Sequence, residues 1–243
     1  MADDNPYAAG HGGGASHDPV PLELGAVFQR SWEIFGNHVG LLFGAYLLVL
    51  APILVGVVLM LLVTGLAAAV AGENDTVMGL ASFIGMAIYM VAIVGAMILQ
   101  LGVIRIALNV VRGQPAELSM LSGQLGLVLP FLGASILTGI ATSIGGALCI
   151  IPGMIAAFAL QWFPWILVDR NPGAIGSLKQ SWALSFPELL PVILFNVAIA
   201  AVGLALSCVT FGFGMLIAAP FFIVAQAVFY DALNAAHPEA ASA

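Results

Sequence analysis

The feature that most constrains this chain is a series of apolar runs that are too long for a soluble core. Residues 39–71 are apolar apart from Thr64, and residues 77–111 form a second long run. A helix needs about 20 mostly apolar residues to cross the hydrocarbon core of a bilayer. Of all residues, 62% are hydrophobic and 7% charged, whereas a soluble domain is about a quarter charged. The sequence therefore predicts a membrane protein without a sizeable soluble domain.

Six helical spans are predicted, so the expected fold class is an all-α polytopic membrane helix bundle. The four later runs are residues 125–147, 152–168, 187–207 and 214–233. We expect the first span to bend near Pro52, because proline lacks the N–H that a helix uses. Residues 22–236 are predicted as one membrane domain. A disordered cytoplasmic tail without a signal-peptide pattern is expected over residues 1–21, and a short tail over residues 237–243.

A short amphipathic segment is predicted to lie at the membrane surface before the fifth span. In residues 174–186, the side chains of Ile175, Leu178 and Trp182 fall on one helical face, while Lys179 points elsewhere. An apolar face with a tryptophan and a lysine is typical of a helix that lies at headgroup depth.

Two other segments have the same apolar spacing. Residues 24–35 repeat the stripe and contain a second Ser-Trp pair, Ser31-Trp32. Residues 113–124 are a weaker copy that lacks this pair. The chain is therefore predicted to be an internal repeat, in which a cytoplasmic interfacial helix precedes a hairpin of two spans three times.

All basic residues fall on one side of the membrane if the six spans alternate. Cytoplasmic loops carry the excess of Lys and Arg, so both termini are expected in the cytoplasm, and the membrane is predicted to be a bacterial inner membrane. Aromatic residues cluster near the same boundary. The predicted interfacial anchors are Trp32, Trp162, Trp165, Lys179 and Trp182.

The charged side chains at this boundary have two interpretations that are compatible with each other. Arginines there can pair with Asp169 and Asp231, or they can contact anionic lipid headgroups. The candidate headgroup contacts are Arg30, Arg105, Arg112 and Arg170.

Four amide side chains lie inside the predicted spans, where an unpaired polar group is costly. They are Gln100, Gln161, Asn196 and Gln226. We interpret them as interhelical hydrogen-bonding groups, with a polar path for a solute or a lipid headgroup as the alternative. Cys149 and Cys208 are both predicted at the outer boundary, where they either form a disulfide or act as small apolar side chains.

An Ile-Pro-Gly sequence at residues 151–153 is followed by a polar turn at residues 169–173. Residues 174–182 then lead into a span that contains proline. This arrangement resembles the membrane domain found beside some bacterial glycerophosphodiester phosphodiesterases, and it is similar to several bacterial six-helix membrane families. The resemblance covers residues 22–233 and implies the fold and a bilayer location. It implies no catalytic residue, because the phosphodiesterase domain has no counterpart in this sequence.

No zinc motif, phosphate loop or cysteine pair at metal-ligand spacing occurs, so no catalytic residue, metal or cofactor is predicted. Nucleic acid is not an expected partner, because the chain has only five Lys and Arg residues. Expected partners are membrane lipids, with a second copy of the chain or other membrane proteins as further candidates. The predicted function is a non-enzymatic membrane scaffold or envelope-homeostasis protein that binds lipid or protein at the cytoplasmic interface. The alternative is a permease or channel for a small solute or lipid.

Overall fold

The computed structural model describes residues 20–71 and 74–239, which are mainly helical and contain no strand. This confirms the predicted all-α fold class. The predicted tail over residues 1–21 lies outside the described residues except at its last two positions, as do residues 240–243. The helices are α1 (Leu24–Ala71), α2 (Asp75–Val111), α3 (Val128–Leu148), α4 (Ile150–Leu160), α5 (Phe163–Arg170), α6 (Gly173–Ser185), α7 (Leu189–Thr210) and α8 (Gly214–Ala236).

Six stretches of the described residues are long and apolar enough to cross a membrane. They are α1, α2, the stretch Leu118–Leu148 that ends with α3, the stretch Ile150–Arg170 that contains α4 and α5, α7 and α8. Many large apolar side chains on these helices face outward rather than into the protein. Lipid tails solvate such side chains well, whereas water does not. The protein is therefore a multi-pass integral membrane protein.

Three helical hairpins make up the bundle. The first is α1 with α2, the second is α3 with α4 and α5, and the third is α7 with α8; the partners within each hairpin contact one another. Helix α6 joins the second hairpin to the third and packs against α3, α4 and α5. We call the end of the bundle that carries Arg112, Asp169 and Asp231 the charged end, and the end with the turns at Cys149 and Phe211 the turn end.

Helix α1 contains both the first predicted surface segment and the first span. Its backbone leaves helical geometry at His38, where φ is −127° and ψ is 19°. Pro52 lies inside the helix, and the bend that we expected near it stays a prediction. The His38 Nδ1 lies 3.1 Å from the Ile34 carbonyl oxygen and donates to it. The kink thus separates the amphipathic start of α1 from its apolar remainder.

The segment between the first two hairpins is not the amphipathic α-helix that we predicted. Residues 113–124 form a turn and one 3-10 helix, Leu118–Leu121, and a second 3-10 helix, Leu125–Leu127, follows. The apolar spacing is helical, but Ser122 and Gly123 interrupt it with residues of poor helix propensity. An amphipathic helical segment therefore precedes the first and third hairpins but not the second.

The fourth span is broken between α4 and α5, at Gln161 and Trp162.

The turn that closes the third hairpin has a left-handed backbone at Phe211, where φ is 53°, and at Gly212, where φ is 90°. Glycine adopts the left-handed conformation without strain, which explains its place in this turn.

Candidate functional site

A cluster of ion pairs at the charged end joins all three hairpins. Arg112 follows the last residue of α2 and forms two hydrogen bonds to the carboxylate of Asp169, near the end of α5. The Nε of Arg112 also donates to Asp231 Oδ1 of α8 over 3.0 Å. One guanidinium group therefore bonds to a carboxylate of the second hairpin and to a carboxylate of the third. We call Arg112, Asp169 and Asp231 the clamp.

Neighbouring polar groups hold the clamp in position. The Tyr230 hydroxyl donates to Asp169 Oδ2 over 3.2 Å, and the Arg170 Nε lies 3.8 Å from the same oxygen. Arg170 also donates to Asn234 Oδ1 over 2.9 Å. Arg105 lies on α2, before Arg112, and donates to the Val168 carbonyl oxygen over 3.3 Å. The sequence predicted ion pairs among the charged members of this set, but not the contacts of Tyr230 and Asn234 with them.

Burial makes these charges depend on one another. The side chain of Asp169 is only 9% exposed, and that of Arg112 is 24% exposed. Burial alone disfavours the charged form of Arg112, but hydrogen bonds and the negative charges of Asp169 and Asp231 outweigh it and raise the pKa of the guanidinium. Arg112 thus stays charged, and its removal would leave two carboxylates without their main partner.

Helix α6 presents its small polar side chains to the protein and its apolar side chains outward. The buried residues are Ser177, Gln180, Ser181, Leu184 and Ser185. Ile175, Trp182 and Phe186 are exposed, and the Trp182 and Phe186 rings stack with centroids 5.2 Å apart. Lys179 lies on the exposed side as well. A helix in water has the opposite arrangement, so this face suits contact with lipid.

The Ser181 hydroxyl bonds to two backbone groups at the break in the fourth span. It donates to the Ala159 carbonyl oxygen over 2.8 Å and accepts from the Trp162 N–H over 3.2 Å. Both backbone groups lie at the interruption between α4 and α5, and an unpaired backbone group in this apolar setting would be costly. Serines spaced by four residues along α6 were a signal in the sequence for this buried polar face.

The predicted anchors divide into two exposed and two buried tryptophans. The side chain of Trp32 is 69% exposed and that of Trp182 is 41% exposed. Trp162 is 2% and Trp165 5% exposed, so the structure corrects their assignment as interfacial anchors. The reason is the break before α5, which directs both rings toward an aromatic core inside the protein. The Trp162 ring stacks on Phe229, with centroids 5.7 Å apart.

The candidate headgroup contacts have protein partners. Arg30 pairs with Glu33 of the same helix over 3.1 Å, and this pair is exposed. Arg105, Arg112 and Arg170 bond to the groups described above. Contact between these four arginines and lipid headgroups stays a prediction.

The four span amides do not bond to one another. Asn196 donates to the Val192 carbonyl oxygen of its own helix over 2.8 Å. The Gln161 Nε2 is buried and has no hydrogen-bond partner among the described residues. Gln100 lies on α2 and Gln226 on α8, and both are partly buried. A polar path through these residues stays a prediction.

Cys149 and Cys208 are both exposed at the turn end, and both are free. The structure therefore does not contain the disulfide that was one of the two alternatives for these cysteines. Cys149 has an extended backbone between α3 and α4, and Cys208 lies in the last turns of α7.

A cavity of about 100 Å³ lies beside the clamp. Its walls are Gly123, Gln124, Gly126 and Leu127, which precede α3, and residues 168–171, at the end of α5. Among the described residues, no group of three or more His, Cys, Asp or Glu side chains is placed to hold a metal ion.

Comparison of the chain with protein-family models, curated proteins and solved structures gave no match. The resemblance to the membrane domain beside glycerophosphodiester phosphodiesterases therefore stays a prediction.

Proposed function

We propose that this protein is a non-enzymatic membrane scaffold that binds lipids, and through them or directly other membrane proteins, at its charged end. The observation that carries the proposal is the outward face of α6. Ile175, Trp182 and Phe186 are exposed there beside Lys179, while the serines of the same helix are buried. An apolar face with one cation is suited to the boundary between headgroups and acyl chains.

The distribution of charge supports an orientation for the scaffold. Every Lys and Arg of the chain belongs to the charged end or its connecting segments, and the turns of the opposite end contain none. We propose that the charged end and both termini face the cytoplasm of a bacterium, with the bundle in the inner membrane. A reporter fused at Asn74 would then be exported, and a cytoplasmic signal from that fusion would contradict the orientation.

The clamp supports a scaffold more than a permease. Arg112 bonds the second and third hairpins to the first through partly buried charged hydrogen bonds. A permease that alternates between two open states has to separate such elements at each end in turn. Three hairpins that are bonded together at one end favour a scaffold of fixed shape.

Quenching by brominated lipids tests the contact of α6 with lipid. The chain has four tryptophans, and the structure exposes Trp32 and Trp182 and buries Trp162 and Trp165. In vesicles of phosphatidylcholine and phosphatidylglycerol brominated high on the acyl chains, we expect the Trp182→Phe variant to lose quenched fluorescence. The Trp165→Phe variant is the matched control and should lose only unquenched fluorescence. Equal quenching in both variants would contradict the proposal.

Two flux measurements in the same vesicles separate the scaffold from the alternative. Glycerol uptake followed by light scattering tests a solute path, and dithionite reduction of NBD-labelled phosphatidylcholine tests lipid transfer between leaflets. We expect both rates to equal those of empty vesicles. A rate that rises with the amount of protein and falls in the Gln161→Ala variant would support a permease instead.

A further inference from the structure

Lys179 differs from the arginines in having no protein partner within the described ranges. Each of the four arginines donates to a protein oxygen, and Arg30 does so within its exposed pair with Glu33. The side chain of Lys179, by contrast, is exposed and forms no hydrogen bond or ion pair with any residue in 20–71 or 74–239. Its ammonium group is therefore available to a group outside the protein.

The two helical segments that contain a Ser-Trp pair differ in charge for the same reason. The start of α1 contains one Arg and one Glu, Arg30 and Glu33, which pair with each other. Helix α6 contains Lys179 and no acidic residue. The nearest acids along the chain, Asp169 and Glu188, each have a partner of their own. The outward face of α6 therefore carries a positive charge that α6 itself does not balance.

Lys179 lies at the middle of the outward face of α6. Successive residues of an α-helix are turned by about 100°, so Lys179 points away from the centre of the buried face. One side of the outward face is apolar and exposed, with Ile175 and Trp182. The other side carries the small residues Gly176 and Ala183. Lys179 thus separates an apolar strip from a strip of small residues.

The surroundings of these two strips indicate which of them lies deeper in the membrane. Ala183 lines an open cavity together with the residues that end and follow α8, among them His237 and Glu239. This polar opening favours water on the Ala183 side, whereas the exposed indole of Trp182 favours the boundary with acyl chains. Lys179 lies between the two strips, at the depth where a lysine reaches headgroup phosphates.

We propose that α6 selects anionic phospholipids, with the Lys179 ammonium group bound to the headgroup phosphate and Trp182 packed against the upper acyl chains. Phosphatidylcholine brings its own cation to the phosphate and phosphatidylglycerol does not, so an unpaired lysine discriminates between them. The selectivity rests on the proposed contact of α6 with lipid and adds the class of lipid that binds there. One lysine near the membrane surface corresponds to an enrichment of the anionic lipid of about fivefold.

Competition between two lipids at Trp182 tests this selectivity. The full chain is placed in vesicles of equal amounts of phosphatidylglycerol and phosphatidylcholine with the same acyl chains, and one of the two lipids is brominated at a time. The signal of Trp182 is the difference in fluorescence between each protein and its Trp182→Phe counterpart. We expect brominated phosphatidylglycerol to quench Trp182 more, in accordance with the fivefold enrichment. The preference should shrink as sodium chloride is added, because salt screens an exposed charge.

Three variants assign the preference to one side chain. Lys179→Gln should abolish the preference, and Lys179→Arg, which keeps the charge, should retain it. Lys179 is exposed and unpaired among the described residues, so both variants should unfold at the temperature of the parent protein. The matched control is Arg30→Gln, which removes a cation from the other Ser-Trp segment. That cation is already paired with Glu33, so the preference at Trp182 should not change.

The outcomes separate the selectivity from the lipid contact on which it rests. If neither brominated lipid quenches Trp182, α6 does not face lipid and both proposals fail. If the two lipids quench Trp182 equally, the lipid contact stands and the selectivity is overturned. The selectivity of Lys179 is also overturned if Lys179→Gln and Arg30→Gln lower the preference alike. Loss of the preference in Lys179→Gln alone, with retention in Lys179→Arg, supports it.

Discussion

The two ends of the bundle are held together in different ways. At the charged end the core is buried and aromatic, and the rings of Phe195 and Phe229 stack with centroids 4.2 Å apart beside Trp162. At the turn end most large apolar side chains face outward, and Phe211 is 93% exposed. Apolar side chains gain little by leaving lipid for protein, so hydrophobic burial does not drive helix association in the hydrocarbon region. Polar and aromatic contacts hold the charged end, whereas close backbone packing holds the turn end.

Removing the arginine of the clamp should have the largest effect on this contrast. Arg112→Gln leaves Asp169 and Asp231 without their main partner, and because these pairs are partly buried we expect a cost of about 3 kcal/mol, the lower end of the range for a broken buried ion pair. The matched control is Arg30→Gln, which breaks an exposed pair with Glu33 and should cost under about 1 kcal/mol. Thermal transition temperatures in detergent, at one scan rate, measure both losses. Equal shifts in the two variants would mean that the clamp does not hold the charged end.

A glycine contact at the turn end should come second. A Cβ on Gly153 of α4 would lie 2.6 Å from the backbone nitrogen of Gly146 on α3. Gly153→Ala should therefore push α3 and α4 apart and cost about 1–3 kcal/mol. Gly139→Ala on α3 is the control, because a Cβ there meets nothing within 4 Å. The same thermal measurement applies, and a Gly153→Ala protein as stable as the control would show that the turn end does not depend on close backbone packing.

The serine that spans the break in the fourth span should have the smallest effect of the three. Ser181→Ala leaves the Ala159 carbonyl and the Trp162 N–H without their partner and should cost about 1–2 kcal/mol. Ser31→Ala removes the equally buried serine of the other Ser-Trp pair, whose hydroxyl bonds only to the Val27 carbonyl oxygen of its own helix. We expect this control to change stability by a few tenths of a kcal/mol. Hydrogen exchange at Trp162 should accelerate in Ser181→Ala alone, and unchanged exchange would remove Ser181 from this role.

The sequence predicted the spans well, because the length of an apolar run depends on bilayer thickness and not on tertiary contacts. The segment between the first two hairpins was wrongly predicted to be an amphipathic α-helix. Leu118, Leu121 and Leu125 have helical spacing, but the backbone there forms two 3-10 turns. The spacing of the leucines alone takes no account of the poor helix formers that lie between them.

The site was harder to predict than the spans. Arg112 and Asp231 are 119 positions apart, and only the folded bundle brings them together. The charges could be assigned to one end from the alternation of spans, but the choice of partners depends on how the hairpins pack. Trp162 shows the same limit, because its position near the end of a span is typical of an interfacial residue, while the break before α5 buries it.

The clamp also has a consequence for how the protein is assembled in the membrane. It takes one side chain from each hairpin, and all three must arrive at the same membrane face. A hairpin inserted upside down would place its carboxylate at the far face and leave Arg112 incompletely paired. The charged side chains of that hairpin would then have to cross hydrocarbon to correct the error, which is slow and costly. The ion pairs of the clamp therefore form completely only when all three hairpins have been inserted in the same orientation.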